Sequence, residues 1–375
     1  MLYIFYYSLI PNTAPGNRFL SFLRGFDELG IDATVVLLTS YTGYKIEDSY
    51  RHLEVEYLWK EWPFGRRVFN HLHIPFAFRQ FLSRLKAGDI VYCVGSVSYL
   101  HRFMSVNGLR VYHERTESPD VLPLPTQKQQ VRYLEACTKL DGLFVISTAL
   151  KKYFIEKGLA EERIQIVNMT VDSHRFAKLQ KDSSVEKYIA YCGTASNNKD
   201  GVDELIKAFA IVAKKHTDVK LYIIGKTPSA DDKAGNLKLI KDLGLTEKVV
   251  FTGTVRADRM PQILMDATVL ALDRPDSLQA QNGFPTKLGE YLMTGNPVVV
   301  TKVGDIPLFL KDGESALLAE QRNPEEFASK LCWALENPEE AAVIGRKGKE
   351  VAMRSFNYLN ETTKIVDCIF KQKTR

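Results

Sequence analysis

The sequence predicts an α/β protein built from two Rossmann-like halves, each a parallel sheet with helices on both faces. Short apolar, β-branched segments alternate with stretches of helical periodicity along the whole chain. Strands that are apolar throughout are typical of parallel sheets buried on both faces. The predicted strands number eleven or more, which exceeds one comfortable doubly wound sheet, and a polar stretch over residues 172–186 divides them into two groups.

The predicted elements follow from this alternation, taken in chain order. Strands are predicted in the first half at residues 2–8, 33–38, 89–94, 109–113, 142–147 and 163–167, and in the second half at 187–193, 219–225, 248–253, 268–272 and 297–301. Helical periodicity is clear at 17–29, 148–156, 202–214 and 286–293. We therefore expect a first domain over residues 1–170, a linker over 171–186 and a second domain over 187–354.

Composition excludes several classes of protein. Hydrophobic residues make up 45% of the chain and charged residues 25%, which is ordinary for a globular protein and excludes a disordered, collagen-like or coiled-coil chain. No apolar run approaches the ~20 residues that span a bilayer. The cysteines are scattered without C-x-x-C spacing, so we predict neither a disulfide framework nor a zinc site, and a reduced, cytoplasmic location. These cysteines are Cys93, Cys137, Cys192, Cys332 and Cys368.

The positive charge is concentrated in one aromatic-rich window. The formal net charge is +5, and residues 58–86 hold six basic residues against one acidic residue. Such a segment in an otherwise neutral chain indicates contact with an anionic surface, either a membrane or an acidic acceptor. We assign that contact to Arg66, Arg67 and Arg84. The alternative is an amphipathic helix whose aromatic residues belong to the core.

The densest chemical motif is segment 282–290, Asn-Gly-Phe-Pro-Thr-Lys-Leu-Gly-Glu, which follows a predicted strand and opens a helix. Gly283 permits a tight turn, so the N–H groups of Thr286 and Lys287 are predicted to form an anion site at the helix start. Lys287 adds a mobile positive charge suited to a diphosphate, and Glu290 is placed to bind a ribose diol. Helical geometry puts Thr286, Lys287 and Glu290 on one polar face and turns the other face toward a core. The alternative is a capped surface helix with an exposed Lys287–Glu290 pair.

Three further loops follow predicted strands, where open α/β sheets bind their ligands. Gly193 allows close backbone approach and Lys199 can meet a phosphate, although a plain capped loop explains them equally well. Gly16, at a helix start, can face a phosphate. His113 and Glu117 belong to a charged cluster that we expect to line a cleft, with His113 exchanging a proton; the alternative is a solvated loop. We predict no metal ligands, His71 and His73 included.

At these residues the sequence resembles the retaining GT-B-fold nucleotide-sugar glycosyltransferases of family 4, the group 1 glycosyltransferases. The resemblance covers nearly the whole chain and rests on the combination of motifs. Those motifs are residues 163–168 with 171–172, 189–193 through 199–201, 221–225, 249–253, 283–291, 295–300 and 304–307. It implies two parallel-sheet domains facing a central cleft, with the acceptor in the first domain, the donor in the second, and the C-terminal helix over 355–375 packing back on the first.

The resemblance also implies residue roles. Glu290 binds the ribose, the Thr286 and Lys287 amides hold the diphosphate, and the donor phosphate itself acts as the base, so that no metal or other cofactor is needed. Segment 282–290 contributes Gly283 and Phe284 to the nucleotide site. Two departures from the family pattern stand out. Asn282 replaces the first of two glutamates that are separated by seven residues. Thr194 replaces a basic residue, which leaves the positive charge to Lys199, alone or together with Lys226 or Arg256.

Three functions remain open on this basis. The first is a transferase that moves a hexose-type sugar from a nucleotide diphosphate to a glycan or lipid-linked acceptor, in polysaccharide or cell-envelope biosynthesis. It would act in the cytoplasm or peripherally at the inner face of the membrane, and would bind no nucleic acid. In it, Lys199 and Lys287 neutralise the diphosphate and Asn282 contacts the sugar. His113 and Glu117 line the cleft from the acceptor side. The second is a non-catalytic sugar-nucleotide-binding subunit, and the third a sugar-nucleotide epimerase of the same fold.

Overall fold

In a computed structural model, the chain divides into two compact units, Met1–Asn168 with Tyr358–Arg375, and Met169–Asn357. The structure describes residues 1–10, 13–40, 43–46, 49–61, 66–95, 97–182, 184–226 and 229–371, without the side chains of 66–69, 71 and 371. The boundary lies two residues before the predicted domain end at 170. The segment predicted as a linker, 171–186, belongs to the second unit.

The first unit is built on a parallel sheet whose described strands run in the order β3-β2-β1-β4-β5-β6-β7. The strands are β1 Leu2–Ser8, β2 Ala33–Thr39, β3 Leu53–Tyr57, β4 Ile90–Val94, β5 Arg110–Arg115, β6 Gly142–Val145 and β7 Ile164–Ile166. The helices are α1 Ala14–Glu28, α2 Arg66–Arg84, α3 Leu100–Phe103, α4 Gln127–Cys137, α5 Thr148–Glu156 and the C-terminal α15 Tyr358–Lys371. Strand β3 was not predicted from the sequence, because its apolar residues alternate with glutamates, as they often do in edge strands.

Adjacent residues of the central strands feed two separate cores in the first unit. Phe5 and Val91 pack on one face with Phe81 of α2, whereas Ile4 and Tyr92 pack on the other. This is the period-two alternation of a sheet buried on both sides. Helix α15 closes the second face against α1: Gly25 has no room for a Cβ beside Thr362, and the Tyr358 hydroxyl lies 2.8 Å from Glu28 Oε1.

The second unit repeats the plan with described strands in the order β10-β9-β8-β11-β12-β13. The strands are β8 Tyr188–Cys192, β9 Lys220–Ile224, β10 Val249–Gly253, β11 Val269–Leu272, β12 Val298–Thr301 and β13 Leu317–Ala319. The helices are α6 Asn197–Asp200, α7 Val202–Lys215, α8 Ala230–Asp242, α9 Met260–Asp266, α10 Leu278–Asn282, α11 Thr286–Thr294, α12 Ile306–Phe309, α13 Pro324–Glu336 and α14 Pro338–Ser355. Of these six strands, only the three-residue β13 was not predicted from the sequence.

The second sheet has a switch point that positions the site. Chain order runs from β8 outward through β9 and β10, then returns to place β11 on the other side of β8. The loops leaving β8 and β11 therefore diverge at neighbouring carboxyl ends, which is where open α/β sheets form ligand crevices. Motifs 193–201 and 282–290 lie on or just after these two loops.

Candidate functional site

Lys287 is the centre of a buried polar cluster at the switch point. Its Nζ donates hydrogen bonds to Asp200 Oδ2 at 2.5 Å and to the Tyr191 hydroxyl at 3.1 Å. The Tyr191 hydroxyl lies 2.7 Å from the same Asp200 oxygen. The side chains of Lys287 and Asp200 are only 16% and 2% exposed. The lysine is thus held in place by its partners rather than mobile, which corrects the sequence-based expectation.

The electrostatics of this cluster set burial against a counterion. Burial lowers the pKa of Lys287, because desolvation disfavours the ammonium, and the attraction of Asp200 opposes that effect. Burial next to the Asp200 carboxylate raises the pKa of Tyr191 well above its usual range. The attraction of Asp200 therefore favours the ammonium form and holds it beside the loop that follows β8. A fixed cation of this kind is suited to the oxygens of a phosphorylated ligand.

Gly193 is required by the approach of Lys287 to the β8 loop. Its φ is +152°, a region that L side chains rarely adopt, and a Cβ there would sit 2.5 Å from Lys287 Nζ. A side chain at this position would displace the ammonium or the loop. Gly193 is predicted to permit close approach, and the group that lies against it in the structure is the Lys287 side chain of α11.

Helix α11 presents its amino end beside this lysine. Pro285 is its N-cap and offers no side-chain cap, so within the described structure the first-turn N–H groups of Thr286 and Lys287 lack an intrahelical acceptor. The opposite face anchors the helix to β8: the Cys192 N–H donates to the Tyr291 oxygen at 2.5 Å, and the Tyr291 hydroxyl donates to the Cys192 carbonyl at 3.1 Å. The predicted division of the helix into a polar and a core face is confirmed.

Glu290, one turn further along α11, forms an ion pair with Arg175. The side chains of the pair are 23% and 26% exposed. The alternative expectation of a surface Lys287–Glu290 pair is wrong, because each residue has its own partner elsewhere in the unit. Neither partner was predicted from the sequence: Arg175 lies in the segment predicted as a linker, and Asp200 lies in a loop that simple capping explained equally well.

A buried carboxyl group with a raised pKa lies next to the β8 loop. Asp273, directly after β11, is 4% exposed, and burial, with Glu204 and Asp203 nearby, raises its pKa to about 8. Gly201, with φ of +60°, leaves no room for a Cβ against the Asp273 carbonyl. The β8 and β11 loops are therefore in direct backbone contact, which couples the positions of the two motifs.

The remaining predicted residues of the second unit have mixed placements. Lys199 lies half-buried in the short α6, and its neighbour Asp200 is the residue whose side chain reaches Lys287. Asn282 ends α10 half-buried, directly before Gly283. The ring of Phe284 is buried against Phe309 and Phe356, with centroids 5.5 Å and 5.3 Å away. The Phe284 side chain is therefore part of the core, so this residue has only its backbone to offer a ligand of segment 282–290.

His113 does not fulfil its sequence-based role. It is 0% exposed, with Nδ1 2.8 Å from the Cys93 carbonyl oxygen and Nε2 3.1 Å from the Tyr133 hydroxyl. Burial lowers its pKa to about 4, so the ring is neutral at pH 7 and Nδ1 carries the proton, because a carbonyl only accepts. His113 is a core residue, and the expectation that it exchanges protons in a cleft is corrected.

The other candidates of the first unit also have local explanations. Gly16 has no room for a Cβ against the Ile10 carbonyl, and its N–H donates to Thr13 Oγ1 at 3.2 Å. Its N–H is thus used within its own turn, and the phosphate contact stays a prediction. Glu117 is half-buried, and its carbonyl accepts from Arg115 Nε at 2.7 Å.

The basic aromatic window divides between core and surface. Trp59, Phe78 and Phe81 are buried, as the core interpretation requires, whereas Leu72 and Phe76 on α2 are 71% and 60% exposed. Arg84 pairs with Glu56 at 2.6 Å and lies over the Phe81 ring. The side chains of Arg66 and Arg67 lie outside the described residues. No helix in the described ranges has the length and apolar character needed to cross a membrane.

The motifs of the second unit lie in a part of the chain that matches a known family model. Residues 186–337, less than half of the chain, match the family model described as "Glycosyl transferases group 1". Mannosylfructose-phosphate synthase of Agrobacterium fabrum is 23% identical over 54% of this chain and 46% of its own. Poly(ribitol-phosphate) alpha-N-acetylglucosaminyltransferase of Staphylococcus aureus is 24% identical over 62% and 44%. The chain thus spans less than half the length of these curated relatives.

Solved structures confirm the fold class. Anabaena HepE, crystallised with UDP, is 18% identical and has a TM-score of 0.74, with 99% of this chain and 100% of that chain covered. The lipopolysaccharide outer core galactosyltransferase WaaB, in its apo form, is 17% identical with a TM-score of 0.67 over 99% and 100%. The predicted pair of Rossmann-like domains, the GT-B fold, is the architecture that this chain shares with them.

Proposed function

We propose that this chain is a glycosyltransferase that takes its sugar from a nucleotide diphosphate donor. The observation that carries the proposal is the meeting of the Lys287–Asp200–Tyr191 cluster with the open amino end of α11 at the switch point of the second sheet. This arrangement supplies a fixed cation and two backbone donors at one place, which is what a diphosphate requires. The site lies within the part of the chain that matches the group 1 glycosyltransferase model.

In this proposal the protein acts mainly by stabilising the leaving diphosphate. The Lys287 ammonium and the Thr286 and Lys287 amides hold its oxygens, Lys199 adds a second positive charge, and Asp200 keeps Lys287 protonated and oriented. Glu290 binds the ribose hydroxyls, with Arg175 fixing the carboxylate. Asn282, an amide without charge, contacts the donor sugar. The UDP complex of the structural neighbour HepE supports a uridine nucleotide as the first donor to test.

The finer chemistry that we propose is retention without a metal. The bond from the anomeric carbon to the diphosphate breaks, and the acceptor oxygen bonds to the same face of that carbon. The acceptor proton passes to a departing phosphate oxygen, so the products are a glycoside and a nucleoside diphosphate. No side-chain base is needed in this scheme, which is consistent with His113 being buried and neutral in the core.

For the acceptor we propose a glycan or lipid-linked molecule, with the enzyme at the cytoplasmic face of a membrane. Leu72 and Phe76, one turn apart on α2, are exposed, with the exposed Arg79 close by on the same helix. Apolar tips beside basic residues suit the interface of an anionic bilayer. Co-sedimentation with anionic vesicles tests this: Leu72→Ser/Phe76→Ser should reduce binding, and unchanged binding argues against membrane contact.

Turnover with a panel of nucleotide sugars tests the proposed activity. Lys287→Ala should lower kcat by about 100-fold or more, the range found when one oxyanion-stabilising donor is removed. Glu290→Ala removes the proposed ribose acceptor and should lower kcat/KM mainly by raising KM for the donor. Lys238→Ala is the matched control, since Lys238 is 80% exposed in a surface pair with Asp242. Release of nucleoside diphosphate without acceptor separates slow hydrolysis from transfer. Undiminished rates in both site variants would overturn the assignment.

A further inference from the structure

Three side chains with metal-binding atoms converge at the far end of α7 and α13. His216 directly follows α7, and Cys332 and Glu336 lie one turn apart on α13. One ligand atom of each lies within 4.8 Å of those of the other two. We call these residues the His216–Cys332–Glu336 cluster. Their atoms, imidazole nitrogen, sulfur and carboxylate oxygen, form a donor set typical of zinc.

The distance between the His216 and Glu336 atoms fits two ligands of one ion, and no hydrogen bond joins them. Nε2 of His216 is buried and has no hydrogen-bond partner among the described residues, although Glu336 Oε1 lies 3.3 Å away. Two atoms bound at 2.0–2.1 Å to one tetrahedral ion lie about 3.3 Å apart. Each of the two ligand atoms then directs its lone pair at the shared ion and not at the other ligand, so the two atoms do not align for a direct hydrogen bond.

The surroundings of the cluster favour a cation. Both α7 and α13 end here, and the carbonyl groups at a helix carboxyl end carry partial negative charge. Cys332 is 5% exposed and the His216 side chain 18%, so these two ligands are shielded, while Glu336 is half-exposed at the rim. Burial raises the pKa of the Cys332 thiol, and the nearby Lys215 opposes that effect.

The cluster is separate from the proposed donor site. Helix α7 leaves β8 at its carboxyl end and runs back, so His216 lies four residues before β9 begins. The cluster therefore lies at the edge of the sheet where strands start, opposite the Lys287 cluster. An ion at this edge cannot touch a ligand held by Lys287. Its role is structural, because it would fasten the end of α7 to α13.

We propose that the His216–Cys332–Glu336 cluster binds one divalent cation of the zinc class, with water as the fourth ligand. Binding deprotonates the Cys332 thiol, forms the metal–sulfur bond and releases that proton to solvent. The imidazole binds in its neutral form, and Glu336 as its carboxylate. The site holds α7 against α13 and leaves the donor chemistry unchanged. Chain positions 216 and 332 are too far apart in sequence for any spacing rule to have joined them.

Titration of the full-length, metal-stripped protein with Co²⁺ tests the proposal, because cobalt bound to a thiolate shows an intense charge-transfer absorption. We expect saturation at one equivalent, displacement by Zn²⁺, and loss of the band in Cys332→Ser. Cys368→Ser is the matched control, since that cysteine lies in the first unit. Zinc should also raise the unfolding temperature of the wild type and not of Cys332→Ser.

A second pair of variants keeps the test decisive if Cys332→Ser folds poorly. Glu336→Gln changes a side chain that is 51% exposed and should weaken cobalt binding at least tenfold, while Glu339→Gln, an exposed glutamate at the start of α14, should not. Absence of a one-to-one cobalt complex in the wild type overturns the proposal. So does a complex whose spectrum and affinity survive both Cys332→Ser and Glu336→Gln.

Discussion

Replacement of Asp200 by Asn tests the cluster on which the donor site depends. Asp200 is 2% exposed and accepts from Lys287 Nζ at 2.5 Å, with the Tyr191 hydroxyl 2.7 Å away. Asn keeps the shape and one acceptor but leaves the Lys287 ammonium buried without a counterion. Breaking a buried pair costs about 3–5 kcal/mol. Because the amide oxygen still accepts one hydrogen bond, we expect a loss of about 3 kcal/mol.

Hydrogen exchange measured by mass spectrometry localises this loss. A change of about 3 kcal/mol corresponds to a roughly 100-fold faster exchange of amides that open with the second unit. We expect that acceleration in β8, with β1 of the first unit as the internal reference. Asp242→Asn is the matched control, because Asp242 forms an exposed i,i+4 pair with Lys238, worth only about 0.3–0.5 kcal/mol.

Two further measurements separate charge pairing from packing. The double variant Asp200→Asn/Lys287→Met removes both charges and should recover most of the lost protection, since a buried pair replaced as a whole is often neutral. In the single variant the pKa of Lys287 lies below its unfolded value, so the deficit should shrink as pH rises from the folded pKa toward that of the unfolded chain. Unchanged β8 exchange in Asp200→Asn, or a double variant worse than the single one, would refute the reasoning.

Three other outcomes follow from buried groups. Arg18 is 6% exposed and bound to Glu114 at 2.7 Å. Glu114→Gln removes the counterion of this buried guanidinium and should cost about 3–5 kcal/mol of unfolding free energy, measured in urea. Glu56→Gln breaks an exposed pair and should cost at most ~1 kcal/mol, so equal losses in the two variants would contradict the argument. Gly193→Ala should cost about 1–3 kcal/mol and reduce turnover, whereas Gly244→Ala, also at positive φ but with open space around its Cβ site, should leave turnover intact. The pKa of His113 is lowered from 6.5 to about 4 in the folded protein, so as pH falls the unfolded chain binds this proton before the folded protein does. About 3 kcal/mol of unfolding free energy should therefore be lost between pH 6.5 and pH 4. His113→Asn should flatten that part of the curve of unfolding free energy against pH.

The placement of His113 shows why sequence reasoning can fail beside a strand end. Four ionisable residues in five suggested an open, charged loop. In the structure, however, the side chains of β5 alternate between the two faces of a doubly covered sheet. His113 packs among the residues of one core, while Glu114 meets Arg18 in the other. His113 and Glu114 are both satisfied by residues distant in the chain, which no local pattern predicts.

The sequence alone determined the two parallel sheets, the order of nearly all their strands along the chain, and the polar face of α11. These are properties of periodicity and of local turn chemistry, and both act over a few residues. The tertiary structure alone decided which partners the charged side chains meet: Asp200 for Lys287, Arg175 for Glu290, and His216 for the Cys332–Glu336 pair. Such pairings depend on where strand order reverses and where helices end. A buried charge must find its partner there, since desolvation without one is too costly for the fold to tolerate.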